Sequence, residues 1–266
     1  DINANFLPTE NIKIAVNKNN VIESGLVSEV DQSLIEDEII IKIKSQAIYK
    51  NRLLMLDIVS NNNWKRPIYF TGGAFSDEDY IWMKDYLQLD GMCYKLIPIK
   101  TKINPENPYE MGKIDSEKMI EIVKKWSWGN PNENNIYLDE ESRKNSITYR
   151  GNIARLIKQL IIENKKEKAL ELLDLSMKKM PIEDYGYYTL LEPFIDSYYL
   201  LEKNQKARKI FTLISSKYQE KLFYFSGLSE NNKIRYSELI YTYIERYRSL
   251  VETILPYESE EYYKEI

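Results

Sequence analysis

The sequence predicts an α+β N-terminal module, a small sheet with helices over residues 1–135, followed by an all-α array of helical hairpins over residues 136–266. Three observations carry this. Short β-branched and aromatic runs bounded by glycine or proline, such as Ile68-Tyr69-Phe70 between Pro67 and Gly72-Gly73, are confined to the first half. From about Asn145 onward the apolar residues recur at helical spacing with short breaks. Within that second half one segment repeats another. A length of 266 residues with 43% hydrophobic and 29% charged residues suffices for two cores.

Taken in order, Ile12 to Val16 alternates as a strand does, Asn17 to Asn20 reads as a turn, and Val21-Ile22 resumes the strand before Gly25. Asp31 to Leu34 reads as a helix start or a polar turn. Glu36 to Ile43 is ambiguous: β-branching favours a strand, while three acids leading into Lys42 and Lys44 favour a helix through the dipole. Ser45 to Ile58 is expected to be helical, with Ile48, Leu53, Leu54 or Met55, and Ile58 on its apolar face. The stretch Leu53 to Phe70 is expected to organise the module: an apolar helix, a polar turn at Ser60 to Asn63, then a short buried strand opened by Pro67. Ser76-Asp77-Glu78-Asp79 reads as a helix N-terminus leading through Tyr80, Ile81, Met83 and Leu87. Asp90-Gly91 then turns the chain into a second core strand, Met92 to Ile99. Residues 101–117 form a polar loop; Asp115 or Ser116 caps a helix running to Trp126; and Asn132 to Asn135 marks the boundary. Tyr137 to Glu141 opens the helical half.

There, Asn164-Lys165-Lys166-Glu167-Lys168-Ala169-Leu170 aligns with Lys203-Asn204-Gln205-Lys206-Ala207-Arg208. Each segment joins two apolar helices, Ile153–Ile162 to Leu170–Met177 and Leu190–Leu201 to Ile210–Tyr218, and a third pair is expected over Ile234–Ile254. With Pro181 ending the first pair, this pattern resembles tetratricopeptide repeats, although the Trp and Gly of their first helix are absent. Arrays of this kind present curved surfaces to peptides or neighbouring domains.

Composition removes several functions. No histidine occurs, so histidine acid/base catalysis, Ser-His-Asp and Cys-His pairs and the usual zinc sites are excluded. The single cysteine, Cys93, lies in an apolar run and reads as a structural thiol. A net charge of −4 argues against nucleic acid as a partner. No apolar run reaches the roughly 18 residues of a membrane span, and no signal peptide is evident. Because the chain begins at Asp1 rather than Met, it is expected to be a processed protein or a fragment of a longer one. The 22 tyrosines line either a binding surface or a tyrosine-rich helical core.

Five segments share one further resemblance: Asn62 to Phe70, Tyr86 to Lys100, Trp126-Ser127-Trp128-Gly129, Ile136 to Asp139 and Arg150 to Leu156. In this order they resemble the C-terminal soluble region of bacterial multi-pass membrane proteins catalogued as domain of unknown function 2723, a family similar to the protein O-mannosyltransferases. The resemblance implies a glycosyltransferase parent with this piece on the periplasmic side of the inner membrane. The family's catalytic carboxylate would lie in the membrane-embedded part, so no catalytic residue, metal or cofactor is carried onto this chain.

The leading expectation is therefore a non-catalytic extracytoplasmic domain that scaffolds the parent or binds its protein acceptor. Its partners would be a protein or peptide acceptor and the membrane-embedded part of the parent. The alternative is a general protein-binding adaptor unrelated to glycosylation. A third reading is an enzyme working through paired carboxylates, Asp77 with Asp79 or Asp139 with Glu140. If a binding surface exists, Trp64, Arg66, Trp82, Trp126 and Trp128 are its candidates, since aromatic rings stack on sugar faces and an arginine orients polar groups.

Overall fold

A computed structural model of the chain describes residues 9–43, 48–71, 82–101, 111–128 and 136–264. Two compact units divide it, Asp1–Trp126 and Ser127–Ile266. The first is α+β and the second is helical.

In the first unit β1 (Asn11–Ala15) pairs antiparallel with β2 (Glu38–Lys42), Ile12 opposite Ile41 and Ile14 opposite Ile39. The pairing settles the ambiguity of Glu36 to Ile43. In a strand, Ile39 and Ile41 share one face and are fully buried, while Ile40 looks outward. Between the two strands the expected turn at Asn17 to Asn20 is instead a helix, α1 (Lys18–Glu23). Asn17 is its N-cap, accepting from the Asn20 amide at 3.1 Å, and Val21 packs into the core. A 3₁₀ turn follows at Glu29–Leu34.

The organising role expected of Leu53 to Phe70 does not hold. Helix α2 (Lys50–Asn61) buries only Leu56 and Val59, packing against β1, and leaves Leu53, Leu54 and Ile58 exposed. The expected face was offset from the one that packs, and the part of the expected helix at residues 45–47 lies outside the described residues. The strand after Pro67, β3 (Tyr69–Thr71), is an edge strand with Tyr69 48% exposed. The centre of this sheet is β5 (Cys93–Leu96), flanked by β3 and by β4 (Leu87–Asp90), in the order β3-β5-β4.

The expectation of a helix through Leu87 is also corrected. A 3₁₀ turn at Lys84–Tyr86 enters β4 directly, and β4 and β5 form a hairpin closed by Gly91-Met92. Gly91 has φ +66°, and a Cβ there would come 2.7 Å from Ile122 Cγ2, so both the turn and the neighbouring helix require glycine. The Asp-Gly pair is thus a hairpin signal rather than a helix exit. On the outer edge of β4, Leu89 N donates to Lys113 O at 2.8 Å and Lys113 N to Leu87 O at 2.8 Å. Helix α3 (Ser116–Lys124), capped by Asp115, packs against β4 through a face that buries Met119 and Val123. The expected helix start at Ser76 to Asp79, the Gly72-Gly73 exit and the Asn132 to Asn135 boundary lie outside the described residues.

The second unit consists of α4 (Glu140–Ile162), α5 (Lys166–Lys179), the short α6 (Ile182–Tyr185), α7 (Glu192–Leu200), α8 (Asn204–Ser226), α9 (Glu230–Arg235), α10 (Ser237–Ile254) and α11 (Glu260–Lys264). Helices α4 and α5 pack as a hairpin, as do α7 and α8. Their turns have the same geometry thirty-eight positions apart. Asn164 and Glu202 both take left-handed φ, +58° and +60°. Lys165 N donates to Leu160 O and Lys203 N to Tyr198 O, both at 2.8 Å, which is how a helix end closes on a left-handed residue. At the same offset the buried positions match in pairs: Ile153 with Leu191, Leu156 with Phe194, Ile157 with Ile195, Leu160 with Tyr198, Ala169 with Ala207, Leu173 with Phe211. Helix α7 packs on α4 and α5, and α10 packs in the same way on α7 and α8. Thus α10 stands to the second hairpin as α7 stands to the first. The helices of the two hairpins differ in length, 23 and 14 residues against 9 and 23.

Candidate binding cleft

Because α10 packs beside α7, a cleft of about 480 Å³ opens between the first turn of α7 and one face of α10. Glu192 lines it from α7; Tyr241, Thr242, Glu245, Arg246 and Ser249 line it from α10. Tyr241, Glu245 and Ser249 fall at i, i+4 and i+8, one row on a helix, with Thr242 and Arg246 each one position on. The neighbouring row is consumed by packing. Tyr243 and Tyr247 each meet the Tyr218 ring at 6.0 Å, and Leu250 and Ile254 are buried. The Tyr247 hydroxyl is also held by Ser215 at 3.2 Å and Gln219 at 3.0 Å, which fixes the rotation of α10 about its axis.

Glu192 is the pivotal side chain of the cleft. One carboxylate oxygen accepts from Ser249 Oγ at 3.0 Å, and no cation lies within ion-pair distance of it among the described residues. Burial raises its pKa above the usual glutamate range, opposed by the Ser249 hydroxyl and by the positive field of Arg246. Two tyrosines lie nearby: Tyr188 meets Tyr218 edge-on at 5.1 Å, and Tyr218 feels the Glu192 charge. Burial, followed by the neighbouring Tyr243, pushes the Tyr188 phenol up to about 12. Among the described residues Arg246 lines the cleft without a carboxylate at ion-pair distance, whereas Glu245 is shared with Arg248 at 3.5 Å. The cleft therefore combines an exposed aromatic ring, hydroxyls and charges of both signs.

Of the five residues singled out from the sequence, Trp64, Arg66, Trp82 and Trp126 lie in the first unit and Trp128 in the second. Trp64 and Arg66 line a single gap with Leu26, Val59, Asn62, Ile68 and Leu96, but it has no room for a water molecule. Trp64 is buried, takes φ +60°, and donates Nε1–H to Ala15 O at 2.8 Å; Arg66 is exposed. Trp82 is half-buried against the first core, with the Arg52 guanidinium 4.9 Å above its ring. Trp126 lies beside Gly91 in the first unit, and Trp128 lies in the second, 6.4 Å from Tyr149. Of the paired carboxylates, Asp139 caps α4 by accepting from Ser142 N at 2.7 Å, and Glu140 faces Lys144 at 3.8 Å; Asp77 and Asp79 lie outside the described residues. The residues of the cleft were not singled out from the sequence. Their only local signal is the polar i, i+4, i+8 row in a helix that otherwise reads as a third hairpin.

Two buried polar groups were also missed. On one face of the first unit's sheet, Tyr69 and Gln88 both stand opposite Lys95. The buried Asp90 carboxylate receives Lys95 Nζ at 3.2 Å, Gln88 Nε2 at 2.7 Å and the Tyr69 hydroxyl at 3.2 Å. Burial and then the Asp90 charge push the Tyr69 phenol up to about 12. The network is closed on itself and fixes strand register. In the second unit the buried Arg150 donates Nη2–H to Met180 O at 2.8 Å and Nη1–H to Gly186 O, so its charge sits at the carbonyl end of α5. Burial lowers its pKa to about 10.

A family model described as TMEM260-associated domain 2 matches residues 1–118. The first unit thus matches a membrane-protein-associated domain. No curated protein and no solved structure matches the chain. Among the described residues no helix is long and apolar enough to cross a membrane, and no group of three or more acids or cysteines is placed to hold a metal ion.

Proposed function

We propose that the chain is a non-catalytic extracytoplasmic domain of a multi-pass membrane glycosyltransferase similar to the O-mannosyltransferases, facing the periplasm, and that its helical unit holds the protein acceptor as an extended segment. One observation carries the binding role: α7, the first helix of the second hairpin, and α10 lie side by side and leave a polar cleft between them. Surfaces built from successive helices in tetratricopeptide-like arrays take extended segments in this way. The match of residues 1–118 supports a membrane-protein context. The glycosyltransferase parentage rests on the five resembling segments, and the membrane-embedded part of such a parent is the second expected partner.

The test is an array of extended peptides probed with the full chain and with Thr242→Trp, whose indole fills the cleft from α10. Wild type should bind a subset of peptides, and Thr242→Trp, folded by circular dichroism, should lose them. Equal binding by both proteins would remove the cleft from the account. Sugar transfer from a lipid-linked donor by this chain alone would overturn the non-catalytic role.

A further inference from the structure

We infer that the cleft between α7 and α10 selects a lysine or arginine side chain of the bound segment, with Glu192 as its principal acceptor. This rests on the reading that the helical unit holds an extended protein segment. Three features of the cleft point to a cationic ligand.

The first is the state of Glu192. Its carboxylate is partly buried within electrostatic reach of Tyr218, with one hydroxyl donor and no cation at ion-pair distance among the described residues. A carboxylate already stripped of part of its water gives up little more when a cation arrives, so pairing there returns more than pairing at a hydrated surface group. Arg246, the opposite charge in the cleft, is exposed and retains its water. The second feature is the lining itself. It holds two carboxylates, Glu192 and Glu245, and one guanidinium, Arg246; Glu245 is already paired with Arg248 at 3.5 Å, which leaves Glu192 as the carboxylate open to a cationic ligand. The third is Tyr241, whose ring is 65% exposed at the cleft. An aromatic face beside carboxylates suits a side chain with an aliphatic stem and a cationic head. Arg246 then serves the segment's main-chain carbonyls, which a guanidinium fork can hold.

The experiment compares three fluorescein-labelled extended peptides of alternating serine and valine that differ at one central residue: lysine, norleucine or glutamate. Fluorescence anisotropy measures their binding to the full chain and to Glu192→Gln, Arg246→Gln and Thr242→Trp, each checked for an unchanged melting curve. The lysine peptide should bind about tenfold more tightly than the norleucine peptide, a difference of about 1.4 kcal/mol. Glu192→Gln should remove most of that difference. Equal binding of lysine and norleucine peptides, with Thr242→Trp still abolishing both, would overturn the cationic selection while leaving the segment-binding reading standing. Preference for the glutamate peptide, lost in Arg246→Gln, would overturn it in favour of an anionic ligand. No binding of any peptide would overturn both readings.

Discussion

Glu192 is held in a setting that costs the fold something. Its pKa is raised mainly by burial, so the charged form is disfavoured in the folded chain relative to the unfolded one. That penalty is present above the folded pKa and absent below the unfolded one. Glu192→Gln is therefore expected to be at least as stable as wild type in urea at neutral pH, with the advantage fading as the pH falls through the carboxylate range. A variant less stable at neutral pH than at acid pH, relative to wild type, would show that Glu192 is a structural ion. The Asp90 network behaves in the opposite way. Lys95→Met leaves a buried carboxylate without its cation and should cost about 3 kcal/mol. The double variant Asp90→Leu with Lys95→Met should recover much of that loss, because no unpaired charge remains. Tyr69 adds a titration signature: its phenol stays protonated up to about 12, so the protonated hydroxyl's contribution is present below pH 10 and lost between about 10 and 12. Tyr69→Phe should lack one late phenolate step in an ultraviolet titration.

At the level of elements, the hairpin turns make the most exacting prediction. Asn164 and Glu202 occupy the same left-handed position in turns with the same hydrogen bonds. Asparagine tolerates that conformation and glutamate does not. Glu202→Gly should therefore stabilise the chain by about 1 kcal/mol in urea unfolding, and Asn164→Gly by much less. Ala169→Leu and Ala207→Leu should each destabilise by about 2 kcal/mol, since both alanines are fully buried at matching places. Strands and hairpins were legible where the signal is local. The turn segments 164–170 and 203–208 align by eye, and Ile12 to Val16 alternates over the strand it forms. Glu36 to Ile43 was not legible, because three consecutive isoleucines suit either period until β1 supplies a partner. Leu53, Leu54 and Ile58 misled because helical spacing does not say which face of α2 meets β1. Asp90-Gly91 misled because Tyr80, Ile81, Met83 and Leu87 fit a helix until the pairing of Leu87 with Leu96 is known.

Across the whole molecule, α+β followed by all-α was readable from composition and periodicity, since the two periods occupy different halves of the chain. The cleft was not, because it exists only where α7 meets α10 and its lining runs from Glu192 to Ser249. Tryptophans drew the sequence reading toward sugar stacking. They are distributed over both units, with Trp64 in a core, since a large ring with one donor stabilises a buried site as readily as it lines an open one. The tyrosines fill both roles: Tyr218 is buried edge-on against Tyr188, and Tyr241 remains exposed at the cleft. The account's central claim is that the helical unit holds a protein segment between α7 and α10. Chemical-shift mapping of the isotope-labelled full chain, titrated with the lysine peptide, tests it most directly. The account predicts saturable shifts confined to Glu192 and the Tyr241 to Ser249 row. Shifts centred on the Tyr69, Gln88, Asp90 and Lys95 face of the sheet, or none that saturate, would contradict it.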